Sequence, residues 1–236
     1  MGKTTAAVCV AAGLKVGGFK SLLVDLDSQG NASAASGLII EDDRPTVKNL
    51  LTDGGHPRDY ITSTGALDII PSNNSLKDIE DELIKEKRYN LLRDALKPLK
   101  KAYDYIIIDC PPSINVFTKN ALAAADEIVI PVDLGYFSLL GLKQLLEEID
   151  RIKEHLNPRI KIKGILACKY DRRTSLSGQV LEILRHNFPG RVFNTVIKVN
   201  VDIVRSQIAQ KNIFEYSPKG VAAQNFLSLV EELTGG

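Results

Sequence analysis

Three cysteines, Cys9, Cys110 and Cys168, are all that the sequence holds, and they offer neither a metal-ligand spacing nor an even number for a disulfide framework. They are expected to act as small apolar side chains in a reducing cytoplasm. No hydrophobic run approaches the roughly 20 residues that carry a helix across a bilayer. The apolar run from Ala6 to Leu14 is short, and a basic Gly-rich turn and a strand stand where a signal peptide would be cleaved. A myristoylation motif is excluded because Ala6 occupies the position that needs Ser or Thr. A charge excess is lacking as well: 30 Lys and Arg face 29 Asp and Glu, net +1. The balance is uneven along the chain. Residues 1–150 hold 16 basic and 22 acidic side chains, net −6, whereas residues 151–236 hold 14 and 7, net +7. A basic C-terminal third is what a polyanion partner needs, and a solvated face is the plainer alternative.

What is present is a chain of 236 residues, 44% hydrophobic, enough for one α/β domain with a large core. It opens Gly2-Lys3-Thr4-Thr5 and continues as an Ala-rich helix to about Leu14. Gly-Lys-Thr at a helix start is the second half of a phosphate-binding loop. The Lys ammonium reaches the β- and γ-phosphates, the first Thr hydroxyl sits on Mg²⁺, and the free N–H groups of the helix terminus face the anion. A complete loop reads G-x-x-x-x-G-K-[ST] and is launched from a buried strand. Gly17-Gly18 then reads as a helix C-cap and turn, since no dinucleotide-type glycine spacing surrounds it.

Helices and strands alternate from there. Ser21 to Asp27 reads as a buried strand ending in carboxylates, followed by the polar loop Ser28 to Ser33. Residues 41–65 carry Pro, Gly and Asp clusters around short helices. A short strand is expected near Leu67 to Pro71, then two charged amphipathic helices, the second about Asn90 to Lys97. Tyr105 to Asp109 is a continuous apolar run with its carboxylate last, the pattern of a parallel strand buried on both faces. Ligands of open α/β sheets bind beyond the strand C-termini, so Asp27 and Asp109 should converge on the helix beginning at Lys3. A helix at Asn115 to Ala125, a strand at Glu127 to Val132 and a long helix at Leu139 to Leu156 follow. The rest reads as strand Ile160 to Cys168, helix Ser175 to Asn187, strand Val192 to Ile197, and helices Val201 to Gln210 and Val221 to Leu233. In the last, Phe226, Leu229, Val230 and Leu233 form a core stripe without the basic tail of a membrane-surface anchor.

Over nearly its whole length the chain resembles the ParA/Soj-type partition ATPases. The resemblance rests on Gly2-Lys3-Thr4-Thr5, on Leu23-Val24-Asp25-Leu26-Asp27-Ser28-Gln29-Gly30-Asn31-Ala32 and on Tyr105-Ile106-Ile107-Ile108-Asp109-Cys110-Pro111-Pro112-Ser113. Looser matches are Tyr136 to Leu142 and Phe214-Glu215-Tyr216-Ser217-Pro218. It implies a single P-loop domain over residues 1–236: a doubly wound, mostly parallel sheet flanked by helices, with the first strand missing from this chain. It also implies ATP and Mg²⁺ as cofactors, a homodimer closed by ATP, non-specific DNA binding, and stimulation by a ParB-type partner. The location it implies is cytoplasmic and nucleoid-associated, with no membrane.

Position by position, the resemblance gives Lys3 the β- and γ-phosphates, Thr4 the Mg²⁺ and Thr5 the α-phosphate region. Asp27 would orient the attacking water, Asp109 would hold a water on Mg²⁺, and Lys198 to Asn200 would lie by the adenine. Arg172, Arg173, Arg185 and Lys198, drawn from the basic third, are the expected DNA contacts, with Arg205 nearby. Two departures stand out. The family's loop reads Lys-Gly-Gly-Val-Gly-Lys-Thr-Thr, and its first Lys reaches a partner's nucleotide, so the native protein is expected to be longer than this chain, and the chain as given slow or inactive. Its Ile-Pro-Arg-Asn is here Ile197-Lys198-Val199-Asn200. Two other readings stay open: a MinD-like cargo-positioning ATPase and a non-hydrolysing P-loop adaptor.

Overall fold

In the computed structural model, which describes residues 2–40, 44–135 and 138–235, the Ala-rich run forms helix α1 (Lys3–Val16). Alanine gives up no side-chain entropy in a helix, and a helix apolar on all sides is one that is buried. Nearly every residue of α1 from Ala6 to Leu14 is indeed buried. The helix stops as expected at the glycine pair: Gly18 takes φ +88°, and the Phe19 N–H returns to the Leu14 carbonyl at 3.0 Å.

Strand β1 (Ser21–Asp25) is buried throughout and ends two residues short of the expected Asp27. The reason is local. The Asp25 carboxylate accepts the Asp27 N–H at 3.1 Å, which diverts the backbone from the ladder. Short helices α2 (Asn31–Ala35) and α3 (Val47–Thr52) follow, then a hairpin of β2 (Thr62–Ser63) and β3 (Asp68–Ile70). The two charged helices are α4 (Glu80–Lys85) and α5 (Leu91–Leu96), extended by 3₁₀ turns at Asn74–Ile79 and Lys97–Lys101. Next come β4 (Tyr105–Asp109), α6 (Val116–Ala124), β5 (Glu127–Asp133), α7 (Ser138–His155), β6 (Lys161–Cys168) and α8 (Ser175–Asn187). The chain closes with α9 (Val201–Ile208), α10 (Ile213–Tyr216) and α11 (Val221–Thr234). Of the segment Tyr136 to Leu142, Tyr136 and Phe137 lie outside the described residues, as does Met1.

The strands form two sheets, ordered β2-β3-β1-β4 and β5-β6, parallel at every pairing except the β2-β3 hairpin. Helices cover both faces. Leu22 and Val24 of β1 point into a core with α3, α5 and α6, while Leu23 points into one with α1 and α2. β6 alternates likewise, with Leu166 and Cys168 toward α1 and α11, and Ile165 and Ala167 toward α7 and α8. This is the doubly wound, mostly parallel α/β fold.

Two strand expectations need correction. β4 is only half-buried except at Asp109, because it lies at the end of its sheet and is not enclosed on both sides. β5 likewise ends its own sheet, and α1 packs against both strands. Val192 to Ile197 does not form a regular strand. It tracks β6 through isolated bridges at Ile165–Val192 and Tyr170–Lys198. Between them, the N–H groups of Asn194 and Thr195 turn to the Glu232 carboxylate of α11, at 2.7 and 3.0 Å, and leave the ladder.

Candidate functional site

The carboxyl ends of β1 and β4 meet the amino end of α1, the place where ligands settle in open α/β sheets. Gly2 leads into the helix with φ +145°, a backbone region that excludes most L side chains. Lys3, Thr4 and Thr5 then form the first turn. No side chain among the described residues caps this end, and its first turn holds no acidic residue. Its N–H groups and the positive end of its dipole therefore remain available to an anion.

Across from it stand three aspartates. The β1–β4 register sets Asp25 opposite Asp109. Asp109 is 1% exposed, and neither of its carboxylate oxygens has a hydrogen-bond partner among the described residues. Burial above all, and then the Asp25 charge, pushes its pKa up to about 7; Thr4 and Lys3 pull the other way, and Asp27 adds to the rise. The Thr4 hydroxyl is thus close enough to act on Asp109 yet outside good hydrogen-bond geometry, which leaves both oxygens unsatisfied. Asp25 is raised to about 6 by burial and checked by Ser33, whose N–H and hydroxyl donate to Oδ2 at 2.9 and 2.7 Å. The Ser33 hydroxyl in turn accepts the Ser72 N–H at 3.0 Å.

Asp27 tops the loop. Its Oδ1 accepts the Gln29 N–H at 3.0 Å and its carbonyl the Gly30 N–H at 2.9 Å. Gly30 has φ +62°, and a Cβ there would sit 2.7 Å from the Ser72 carbonyl oxygen, so the loop is held to one path at a residue only glycine fits. A buried carboxylate with two unpartnered oxygens beside a threonine hydroxyl suits Mg²⁺, which takes one or two protein oxygens and shares the rest with phosphates and water. Among the described residues no three His, Cys, Asp or Glu are grouped to hold a metal by themselves.

The structure therefore brings Gly2, Lys3, Thr4, Thr5, Asp27 and Asp109 together. The contacts among the described residues do not bring Lys198 or Asn200 to this group: Asn200 caps the start of α9, accepting the Asp202 N–H at 2.7 Å, and it is Gln207, about 10 Å further along that helix, that donates from Nε2 to Thr5 Oγ1 at 2.9 Å. Sequence reasoning missed Gln207, Asp25 and Ser33. Asp25 had a signal, as the first carboxylate at a strand end, and Gln207, 202 residues from Thr5, had none.

The expected DNA residues are spread out. Lys198 bridges to Tyr170 and so lies beside the loop holding Arg172 and Arg173. Arg173 is clamped by Asp171, with Nε to Oδ1 at 2.9 Å and Nη2 to Oδ2 at 2.8 Å, and the Asp171 pKa is brought down to about 2 chiefly by that hydrogen bonding. Arg185 is near the far end of α8, about 15 Å along the helix from its start. Arg172, Arg185 and Lys198 make no ion pair among the described residues.

Comparison with known proteins matches residues 1–162 to a family model described as an AAA domain. The chromosome partitioning protein ParA of Myxococcus xanthus (strain DK1622) is 39% identical over 236 residues, spanning 99% of this chain and 83% of that protein. The sporulation initiation inhibitor protein Soj of Bacillus subtilis (strain 168) is 40% identical, spanning 99% and 93%. Among solved structures, cobyrinic acid a,c-diamide synthase from Mycobacterium smegmatis with bound ADP and magnesium is similar at a TM-score of 0.84 and 28% identity, over 98% of this chain and 87% of that one.

Proposed function

The chain belongs to the ParA/Soj family of partition ATPases, and on that premise we propose that it binds and hydrolyses ATP with Mg²⁺, using the turnover to switch a DNA-bound dimer. The observation that carries the reading is Asp109, a buried carboxylate with both oxygens unpartnered, set against the uncapped amino end of α1. Lys3 neutralises charge on the β- and γ-phosphates, and the N–H groups of the first turn bind the phosphates. Thr5 takes the α-phosphate side. Thr4 would hold Mg²⁺ directly and Asp109 through a water ligand, and the ion would supply charge stabilisation to the transferred phosphoryl group. Asp27, fixed by the Gln29 and Gly30 N–H groups, orients the attacking water. Phosphoryl transfer needs little beyond such positioning and charge stabilisation. Lys198 and Asn200 border the nucleotide on the α9 side.

The dimer that forms with ATP binds DNA without sequence preference through Arg172, Arg173, Arg185 and Lys198, and a ParB-type protein speeds hydrolysis. Two variants test the chemistry. Asp27→Ala should keep ATP affinity within about threefold while turnover falls at least about 100-fold, the scale of a lost positioning group. Lys3→Ala should lose binding as well. Equal turnover in Asp27→Ala and the unaltered protein would sink the assignment.

A further inference from the structure

The loop that presents Asp27 is closed by one buried carboxylate, and that carboxylate is held by Ser33 of α2. Asp25, the last residue of β1, is 0% exposed, and both of its oxygens are engaged. Its Oδ1 accepts the Asp27 N–H at 3.1 Å, while Oδ2 accepts the Ser33 N–H at 2.9 Å and the Ser33 hydroxyl at 2.7 Å. Ser33 is 1% exposed, and its hydroxyl oxygen accepts the Ser72 N–H at 3.0 Å. A hydroxyl has one proton to give. With the Ser72 N–H directed at the oxygen, that proton is left to Asp25.

These contacts form one chain that ends at Asp27. Ser72, just past β3, holds the Ser33 hydroxyl, Ser33 holds Asp25, and Asp25 holds the first N–H of the loop. Ser72 also confines the loop from its other side, since its carbonyl oxygen is the atom that leaves room for nothing but glycine at Gly30. An Asp carboxylate turns easily about its last side-chain bond. Without the Ser33 hydroxyl, Oδ2 keeps a single N–H and the buried Ser72 N–H has no partner, so the acceptor that fixes Asp27 is free to turn. A group that aims a water tolerates little such slack, because a displacement of about 1 Å costs on the order of 100-fold in rate. The hydrogen bonds of the Ser33 side chain run only to Asp25 and Ser72 among the described residues, and none reaches the phosphate end of α1. We propose that Ser33 is a positioning residue for ATP hydrolysis, acting through Asp25 to hold the Asp27 loop on the path that aims its carboxylate at the attacking water. This rests on the ATPase reading above and adds the residue that sets the loop.

The test measures kcat and KM of the full chain with Mg²⁺ and ATP, and amide hydrogen exchange at Asp27 in the nucleotide-free protein by NMR. Ser33→Ala should lower kcat at least about tenfold with KM within about twofold, and should speed exchange at Asp27 while β4 keeps its protection. Ser33→Thr, which retains a hydroxyl, should recover most of both. Ser36→Ala is the control on the same helix: the Ser36 hydroxyl is buried too but donates to the Ala32 carbonyl at 2.7 Å, away from Asp25. That variant should keep the kcat and the Asp27 exchange of the unaltered protein. A kcat or an Asp27 exchange rate unmoved by Ser33→Ala overturns the proposal, and so does a loss that Ser36→Ala reproduces or that appears equally in KM. Ser33→Cys, with a weak thiol donor in place of the hydroxyl, should fall between the alanine and threonine variants, and a cysteine variant as fast as the unaltered protein overturns the proposal even where Ser33→Ala does not fold. Absence of ATP turnover by the unaltered chain overturns the ATPase reading, whereas the exchange rates still decide whether Ser33 fixes the Asp27 loop.

Discussion

Asp109 shows what a single residue contributes to function at the expense of the fold. Its pKa of about 7, against 3.8 for a free carboxyl, means that the folded protein holds this proton more tightly than the unfolded chain does. A raised folded pKa adds stability below the unfolded value, and that stability is lost as pH climbs through the folded one. Between about pH 4 and pH 7 the nucleotide-free protein should therefore lose stability on the order of a few kcal/mol from this group. Asp109→Asn removes the buried charge. Its melting temperature without nucleotide should exceed that of the unaltered protein by several degrees at pH 8, at about 2–4 °C per kcal/mol, and the gap should narrow steadily as pH falls and close only near the unfolded value of 3.8. The same variant should lose the Mg²⁺ dependence of nucleotide binding. Equal melting at pH 8, read by differential scanning calorimetry, would mean that Asp109 is not charged against its surroundings.

At the scale of elements, the segment between α8 and α9 illustrates how a strand is pre-empted. Val192 to Ile197 has the apolar content of a strand and runs beside β6, yet two of its N–H groups serve the Glu232 carboxylate. Underneath, Gly164 of β6 makes room for the Phe193 ring, since a Cβ there would lie 2.7 Å from it. Glu232 thus ties α11 to the segment that leads into α9. Hydrogen bonds to a charged acceptor are worth about 1.5 kcal/mol or more each, so Glu232→Ala should cost roughly 1–2 kcal/mol after solvent exposure is allowed for. That corresponds to a melting temperature lower by about 2–8 °C. Hydrogen exchange should rise at Asn194 and Thr195 and stay unchanged in β1. Unaltered protection at those two amides would count against the tie.

Across the whole molecule the question is where charge collects. The excess of +7 in residues 151–236 is real in the sequence, and the fold distributes it unevenly: Lys198 stands beside the Arg172 loop, Arg173 is paired with Asp171, and Arg185 sits along α8. A phosphate contact carries no sequence information, and each one lost flattens the salt dependence of log K by about 0.9. Lys198→Ala and Arg172→Ala should each weaken ATP-dependent DNA binding equally on unrelated sequences and reduce the salt slope by about one unit. Arg173→Ala should do less, because its guanidinium is already engaged. A DNA affinity unmoved by neutralising Arg172, Arg185 and Lys198 together would remove DNA from this surface.

The sequence by itself determined most of the α/β alternation, the phosphate-binding helix start, the strand-end carboxylate Asp109 and the carboxylate Asp27 in the loop just past β1. Each is written in a local pattern: an Ala-rich helix behind Gly-Lys-Thr, or an apolar strand that stops at a charge. Tertiary structure decided what depends on residues distant along the chain. It set Asp25 opposite Asp109 through the β1–β4 register, brought Gln207 to Thr5, took Val192 to Ile197 out of the ladder through Glu232, and separated Arg185 from Lys198 by the length of a helix. Periodicity reports which face of an element is apolar, but not what comes to cover it. Hence α9 reads in the sequence as an ordinary helix, and only the fold shows that its stripe of Val201, Val204 and Ile208 faces outward, because Ile203 and Ser206 had already taken the inward side.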